Sequence, residues 1–333
     1  MGQRANRTPF SYPEYKKMFR KRFEYLEKPE DADYLVFSCL MDMRDNVHEI
    51  ERILSLRPDI QLVILSEEPL WDMVCSDSFI LKRIRFPIGE QDYPCTFLNH
   101  FTTRIFDFEK IPYFLTTSDD YFVRYSFLFT RNCTFKTEEL KSLWANASIQ
   151  VAFYAEYRDE LFFDARFPEH DMRGLSRYRT LVAKAMTGDG IKRVGKGWGS
   201  KTVRQLLPDW HLDKLAALDR NSFIVSGIDN THQGNYISEK IFDAFAVLAV
   251  PLYFGSRTHG VMRLVPEESF INIHDLPVDL AVEKIRSFRP DKGFLDQYRA
   301  AQIMLAENFS QAMYLVNERT RVVNEIIAEF DAI

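Results

Sequence analysis

Short apolar runs that alternate with amphipathic segments constrain the fold of this chain most. Residues 33–40 and 60–65 are largely apolar and have the length of buried strands, and residues 46–56 between them have helical spacing. Strands that alternate with helices form parallel sheets covered by helices. The sequence therefore predicts an α/β fold.

A second series of the same kind starts near residue 148, after an aromatic segment at 120–129 that fits a strand or a loop. Its strand patterns lie at 148–156, 191–200, 222–228 and 249–256, and a helical pattern lies at 175–186. The two series predict two Rossmann-like domains that face each other across a cleft. We expect an N-terminal domain at 1–145, a C-terminal domain at 146–310 and a C-terminal helix at 311–333.

Composition and charge exclude several classes of protein. The net charge of −5 and the isoelectric point of about 5.9 argue against a nucleic-acid partner. The N-terminus lacks the apolar core of a signal peptide, and no window reaches the ~18 apolar residues of a membrane span. The four cysteines form no CxxC pair. We therefore expect a cytoplasmic protein with reduced thiols.

The segment at 222–254 contains the clearest candidate for a binding site. A strand, a polar loop, a helix and a second strand follow one another there, and ligands of such units bind beyond the carboxyl ends of the strands. The helix start, with Ser238 as the predicted N-cap, suits a phosphate because its N–H groups are unpaired. Asn230, Tyr236 and Lys240 can converge on one polar ligand.

Glu239 stands directly before Lys240, which places a carboxylate at a helix start that suits an anion. A ligand with both anionic and hydroxylic parts would use both side chains, since lysine neutralises phosphate and a carboxylate accepts hydrogen bonds from sugar hydroxyls. That description fits a nucleotide sugar. The alternative is a surface Glu-Lys pair with no ligand.

Residues 229–256, followed by "ESFINIHDL" at 268–276, resemble the donor-binding signature of the α-1,3-fucosyltransferases, glycosyltransferase family 10, in its bacterial-type soluble form. Asp229, Ser238 and Leu276 are mild departures from that signature. The resemblance implies a fold of the GT-B type and transfer of fucose from GDP-fucose to a glycan or glycolipid hydroxyl. A relative that uses another nucleotide sugar, or an inactive carbohydrate- or nucleotide-binding relative, are the alternatives.

The resemblance also implies roles for single residues. Lys240 would neutralise the diphosphate, and Asn230, Tyr236 and Glu239 would contact other donor groups. An arginine that opens a helix would contact the diphosphate as well, which corresponds to Arg177, with Arg179 as its competitor.

The resemblance further implies a catalytic base in the N-terminal domain, in an acidic stretch just before a proline. "LSEEP" at 65–69 follows a buried strand and offers Glu67, with Glu68 as the alternate. A base opposite the leaving group implies inversion at the anomeric carbon, and a base and a diphosphate clamp on different domains imply closure of the cleft. The competing interpretation is a solvated acidic turn.

No metal or other cofactor is expected, because the seven histidines show no ligand spacing. Arginine and lysine would then stabilise the departing diphosphate.

The N-terminal segment "YPEYKKMFRKRFEYL" carries five basic residues between Lys16 and Arg22 and has aromatic residues near one helical face. Such a helix can lie on an anionic membrane, here peripheral to the inner membrane, or dock its aromatic face on the fold.

Overall fold

The computed structural model describes residues 1–199 and 206–333, and its chain forms two compact units. The first unit contains Met1–Asp119 together with Leu315–Ile333, and the second contains Asp120–Tyr314. Each unit is built around its own mainly parallel sheet. The α/β class predicted from the alternating patterns is therefore confirmed in both units.

The sheet of the first unit has the strand order β1-β2-β4-β3. Its strands are β1 (Tyr34–Phe37), β2 (Gln61–Leu65), β3 (Arg83–Ile88) and β4 (Gln91–Leu98). The predicted strands β1 and β2 pair in parallel, and β2 also pairs in parallel with β4. The antiparallel hairpin of β3 and β4 turns at Gly89, whose φ of 60° suits glycine. This hairpin was not anticipated.

Helices cover this sheet. They are α1 (Pro13–Phe19), α2 (Leu40–Asp45), α3 (Val47–Leu56) and α4 (Pro69–Cys75). Helix α3 confirms the helical spacing predicted for 46–56, because Ile50, Ile53 and Leu54 are buried. Helix α4 begins with Pro69. A proline is tolerated at this position because the backbone N–H of the first helical residue has no acceptor within the helix.

The second unit contains a parallel sheet of order β12-β11-β9-β5-β8 and a small antiparallel sheet of order β10-β7-β6. The strands in chain order are β5 (Ile149–Tyr154), β6 (Arg166–Phe167), β7 (Met172–Gly174), β8 (Ile191–Val194), β9 (Ser222–Ser226), β10 (Thr231–His232), β11 (Val250–Tyr253) and β12 (Ile271–Asn272). The strands predicted at 148–156, 222–228 and 249–256 are confirmed. The strand predicted at 191–200 is confirmed at its start, where β8 lies. Ser200 lies outside the described residues.

Helices pack around these sheets and continue to the C-terminus. They are α5 (Asp119–Asn132), α6 (Thr137–Ala145), α7 (Ser176–Ala185), α8 (Trp210–Leu218), α9 (Glu239–Ala246), α10 (Val278–Ser287), α11 (Lys292–Ser310) and α12 (Ala312–Asp331). The strand or loop proposed for 120–129 was wrong. Phe122, Tyr125 and Phe129 recur every three or four residues and bury one face of α5.

The division between the units differs from the sequence boundary at 145/146. Helices α5 and α6 belong to the second unit, where Asn132 donates a hydrogen bond to the Ala246 carbonyl (2.9 Å) and Trp144 donates one to the Leu248 carbonyl (2.8 Å). The C-terminal helix expected at 311–333 is present as α12, and Leu315–Ile333, which contains most of it, belongs to the first unit. Side-chain contacts that are distant in sequence decide both assignments.

The aromatic face of the N-terminal segment packs inside the first unit. Tyr15 and Phe19 of α1 are fully buried in one cluster with Val322, Ile326 and Phe330 of α12. Of the two arrangements predicted for the segment, the structure therefore shows the one in which its aromatic face docks on the fold. Contact of the segment with a membrane stays a prediction. Within residues 1–199 and 206–333, no helix is both long and apolar enough to cross a bilayer.

A buried carboxylate links three helices of the second unit. Asp243 of α9 lies 2.7 Å from Lys214 and 2.7 Å from His211, both on α8, and accepts a hydrogen bond from the Tyr125 hydroxyl of α5 at 2.6 Å. These partners hold the pKa of Asp243 below its usual range although burial opposes ionisation. The buried charge of Asp243 is therefore stabilised by these partners, and most strongly by the Lys214 ammonium.

Replacement of Lys214 by alanine is expected to lower the free energy of unfolding by about 3–5 kcal/mol, because a buried charge loses its partner. Chemical denaturation followed by circular dichroism measures this loss. Lys141→Ala, which breaks an exposed pair with Glu138, serves as the matched control and should change stability by less than about 0.5 kcal/mol. Equal losses in the two variants would show that the Asp243 cluster does not hold the helices together.

Candidate active site

Glu67 lies just after β2 in the first unit and is buried, with 6% of its surface exposed. Each carboxylate oxygen accepts a hydrogen bond from a tyrosine hydroxyl, Tyr12 at 2.6 Å and Tyr113 at 2.8 Å. The His100 ring nitrogen lies 3.2 Å from the backbone carbonyl oxygen of Glu67. The side chain is thus held in one position, unlike an acid in a solvated turn.

Burial raises the pKa of Glu67 to about 7 from an ordinary value of 4.5. The two tyrosine hydroxyls and the Arg7 guanidinium act in the opposite direction, and the neighbouring Glu68 adds to the rise. A carboxylate that titrates near neutral pH can take up a proton from a reacting group and release it again. Glu67 therefore has the protonation behaviour of a general base.

Glu68 has a different environment. Its carboxylate pairs with Arg7 and accepts a hydrogen bond from the Trp71 indole N–H at 3.0 Å. The residue occupies the N-cap position of α4. Glu68 is therefore engaged in a local ion pair at a helix start, and the two adjacent acids are clearly distinguished by the structure.

The sequence pattern did not reveal the tyrosines that hold Glu67, or a second buried acid on the helix that follows it. Tyr113 follows Glu67 by 46 residues, so no local pattern connects the two. Asp72 of α4 is also buried, and burial raises its pKa to about 7. The available signal in the sequence was that Asp72 follows Glu68 by one helical turn, which places a second acid on the helix after Glu67.

In the second unit, the loop between β9 and α9 brings the signature residues together. A Cβ at Gly227 would lie 2.9 Å from the Ile241 Cα, so glycine lets the loop and helix approach closely. Ser238 is the N-cap of α9, as predicted, and its hydroxyl accepts a hydrogen bond from the Lys240 backbone N–H at 3.5 Å.

Asp229 is the buried centre of this loop. Its carboxylate accepts hydrogen bonds from the Ser238 hydroxyl and from the Tyr253 hydroxyl of β11, the latter at 3.4 Å. Burial raises the pKa of Asp229, and the Lys240 ammonium opposes that rise. Asp229 therefore ties the loop, the start of α9 and the neighbouring strand to one another.

The Lys240 ammonium is held at the start of α9. It donates a hydrogen bond to the Ser238 hydroxyl at 2.9 Å and lies 3.5 Å from the Asp229 carboxylate and 3.3 Å from the Glu239 carboxylate. About a fifth of the Lys240 side chain is exposed, whereas Asp229 is buried. The cation is thus held at the N-terminal end of the helix, where the helix dipole is positive.

The other predicted donor-binding residues lie on the same loop and helix. Tyr236 and Glu239 are buried. Asn230 is half-buried, and its backbone carbonyl accepts a hydrogen bond from the Leu175 N–H at 2.7 Å, directly before α7. Within the described part of the chain, the Asn230 side-chain oxygen is buried without a hydrogen-bond partner. This oxygen can accept a hydrogen bond from a ligand.

The two candidate arginines of α7 point to different surroundings. The Arg177 Nε donates to the Asp159 backbone carbonyl at 2.9 Å and lies 3.8 Å from the Asp159 carboxylate. Arg179 is buried and donates to the Ile228 carbonyl of the signature loop at 3.3 Å. Of the two arginines, Arg179 is the one that the structure brings to the loop.

Arg179 stays protonated at neutral pH although burial, together with the nearby Arg158, lowers its pKa to about 10. It lines a small cavity beyond the carboxyl ends of β5 and β9, with Glu156, Trp198 and Ser226 among the other lining residues. This edge of the sheet is where ligands of α/β units bind.

Periodicity could have singled out Arg179. Val182 and Ala183, three and four positions later, are apolar and buried, so Arg179 belongs to the inward face of α7. Gly195 lies directly after β8, and a Cβ there would lie 2.4 Å from the Ala155 carbonyl oxygen, so glycine lets the two backbone segments approach closely.

Residues 191–300 match the family model "Glycosyltransferase family 10 (fucosyltransferase) C-term". The match contains the whole signature at 229–276, so the resemblance stated from those residues is confirmed over this part of the chain. No curated protein matches the chain significantly.

Three crystal structures of α1,3-fucosyltransferases are similar to the chain at a distant level. One with GDP-fucose has 15% sequence identity and a TM-score of 0.37, with 90% of this chain and 93% of that chain covered. A second has 16% identity and a TM-score of 0.43, with 95% of this chain and 85% of that chain covered. A third, with GDP, has 15% identity and a TM-score of 0.35, with 92% of this chain and 94% of that chain covered.

The free energy of unfolding should depend on pH through Glu67. Between about pH 4.5 and 7 the unfolded chain releases this proton while the folded chain retains it, so stability falls as pH rises. Glu67→Gln removes this dependence. As the pH rises through that range, the free energy of unfolding of the variant should therefore increase relative to that of the wild type by about 1–3 kcal/mol.

Chemical denaturation of both proteins at about pH 5 and about pH 8 measures the difference. Glu68→Gln is the matched control, because Glu68 is the adjacent acid in an ion pair, and it should not show this gain. A Glu67→Gln difference that is equal at both pH values would mean that Glu67 ionises like an ordinary glutamate.

Proposed function

We propose that this chain, whose residues 191–300 match the C-terminal domain of glycosyltransferase family 10, transfers fucose from GDP-fucose to a hydroxyl group of a glycan or glycolipid acceptor. The observation that carries the proposal is the start of α9. Lys240 and the buried acids Asp229 and Glu239 meet there inside the matched region.

The diphosphate of the donor would bind at this helix start. The Lys240 ammonium and the dipole of α9 supply positive charge, and the buried Arg179 guanidinium, which interacts electrostatically with Asp229 and Glu239, adds to it. Glu239 and the Asn230 side-chain oxygen are acceptors for donor hydroxyl or amino groups. The lysine and glutamate at the helix start thus serve two parts of one ligand.

The chemical step forms one bond and breaks another. The acceptor oxygen attacks the anomeric carbon of fucose, and the bond from that carbon to the β-phosphate oxygen breaks, so GDP leaves with the electron pair. The acceptor proton passes to Glu67. Attack opposite to the leaving group inverts the anomeric configuration.

Tyr12 and Tyr113 would orient the base without blocking it. Each oxygen of an ionised carboxylate has more than one acceptor site, so a carboxylate that holds both tyrosine hydroxyls can still accept a hydrogen bond from the acceptor. The negative charge that develops on GDP would be stabilised by Lys240 and Arg179, and no metal is assigned to this step.

Lys240→Ala is expected to weaken binding of GDP and GDP-fucose by about 10–100-fold, the effect of losing a hydrogen bond to a charged group. Arg179→Lys should weaken it by about tenfold or more, because lysine lacks the two-pronged geometry of arginine. Arg177→Ala should change it by less than about threefold, because Arg177 is engaged with Asp159. Calorimetric titration in the presence of EDTA measures all three.

Lys292→Ala, an exposed lysine in the same unit, is the matched control, and circular dichroism checks that each variant is folded. GDP-mannose and UDP-glucose are titrated alongside. Tighter binding of a different nucleotide sugar would replace fucose in the proposal. A larger loss in Arg177→Ala than in Arg179→Lys would return the diphosphate role to Arg177.

Glu67→Gln is expected to lower kcat by about 10²–10⁴-fold and to leave GDP binding unchanged, because an amide cannot accept the proton. Transfer of fucose to a panel of glycan acceptors, with release of GDP as the readout, measures kcat. Glu68→Gln is the control that keeps the neighbouring position polar. A wild-type protein that binds GDP-fucose but transfers nothing would indicate an inactive binding protein.

A further inference from the structure

Three side chains outside the proposed donor contacts meet in the second unit. They are Asp171, between β6 and β7, His232 of β10, and His274, which follows β12. Each offers one ligand atom, and these atoms lie within 4.8 Å of one another. Three separate segments of chain therefore converge on one point.

Neighbouring groups orient two of these side chains. The His232 Nε2 lies 3.2 Å from one Asp171 oxygen, and the Ser256 hydroxyl donates a hydrogen bond to the other at 2.7 Å. The His274 Nδ1 lies 3.2 Å from the Asp275 carboxylate, which leaves the Nε2 of that ring for another partner. A histidine that contacts a carboxylate through one nitrogen and a metal through the other is the usual arrangement in metal sites.

His232 has the burial of a fixed ligand. It is 2% exposed, and its ring stacks on that of His259 at a centroid distance of 5.1 Å. The Nδ1 of this ring is buried and, among the described residues, has no hydrogen-bond partner. An imidazole nitrogen without a partner can bind a metal ion.

We propose that Asp171, His232 and His274 bind a divalent first-row transition-metal ion such as Zn²⁺. Two imidazoles and one carboxylate are a donor set that suits such an ion, with a fourth position for water. Zn–N and Zn–O distances of about 2.0–2.2 Å place tetrahedral ligand atoms about 3.4 Å apart, so the side chains would close in by about 1 Å on binding.

The ion would link the signature loop to the rest of the second unit. His232 lies two residues after Asn230, on the loop that also carries Asp229. Asp171 and His274 belong to segments that are fixed by the small sheet and by β12. The role of the ion is therefore to hold the loop, and the proposal does not depend on which nucleotide the chain binds.

The spacing of histidines along the sequence could not indicate this site. Each of the three ligands comes from a different segment of the chain, and the intervals between Asp171, His232 and His274 exceed those of local metal motifs. Only the pairing of β10 with β7 brings the signature loop next to the β6–β7 turn.

The test uses the full chain, purified without a polyhistidine tag and dialysed against a chelator. Titration with Zn²⁺ and with Co²⁺, the latter followed by its visible absorption, should give one tight site per chain. Asp171→Asn and His274→Gln should each weaken Zn²⁺ binding by at least about 100-fold, and Asp275→Asn by about 10–100-fold, as a group that orients a ligand.

These variants are chosen so that the fold is retained. Asp171 and Asp275 have positive φ angles of 51° and 55°, which asparagine also adopts, and the His274 side chain is about a quarter exposed. His170→Ala, next to Asp171 but outside the cluster, is the matched control and should bind Zn²⁺ like the wild type.

A wild-type chain that binds no Zn²⁺ more tightly than the Asp171→Asn, His274→Gln double variant would overturn the proposal and leave a hydrogen-bonded cluster without a metal. Equal binding by wild type and all variants would also overturn it, since the ion would then occupy another site. Calorimetry with GDP on the same samples is recorded separately, so loss of nucleotide binding cannot be mistaken for loss of the metal.

Discussion

The buried carboxylate of Asp229 is the constraint on which the candidate donor site depends. It accepts hydrogen bonds from Ser238 and Tyr253 and lies 3.5 Å from the Lys240 ammonium. A buried charge without such partners would cost several kcal/mol. The loop, the start of α9 and β11 must therefore keep their relative positions for Asp229 to keep these partners, and this fixes the Lys240 ammonium at the start of α9.

Glu67 in the first unit is a second buried carboxylate, but its hydrogen-bond partners have a different effect on its pKa. Glu67 is buried and hydrogen-bonded like Asp229, but Tyr12 and Tyr113 are neutral donors and only partly offset the cost of burial. The result is a pKa of about 7, whereas a cation beside Asp229 opposes the rise in pKa. Partner charge thus separates an acid suited to proton transfer from one suited to holding a loop.

Much of the fold follows from local pattern, because a strand or a helix is encoded within its own 4–12 residues. The helix at 46–56 and the N-cap Ser238 are examples that the structure confirms. The segment at 120–129 was misassigned because aromatic residues occur in strands and in buried helix faces alike. The boundary near 145 was placed without the contacts of Asn132 and Trp144, which are formed more than 100 residues away in sequence.

Local sequence was enough to predict the alternating α/β pattern with most strands of the two parallel sheets, the signature at 229–276 and the position of two acids just after β2. Each of these is a property of neighbouring residues. Tertiary structure alone decided that Glu67 is buried between two tyrosines, that Arg179 reaches the signature loop, and that Asp171, His232 and His274 meet. Burial and electrostatic environment depend on atoms from distant segments, and those neighbours exist only once the chain has folded.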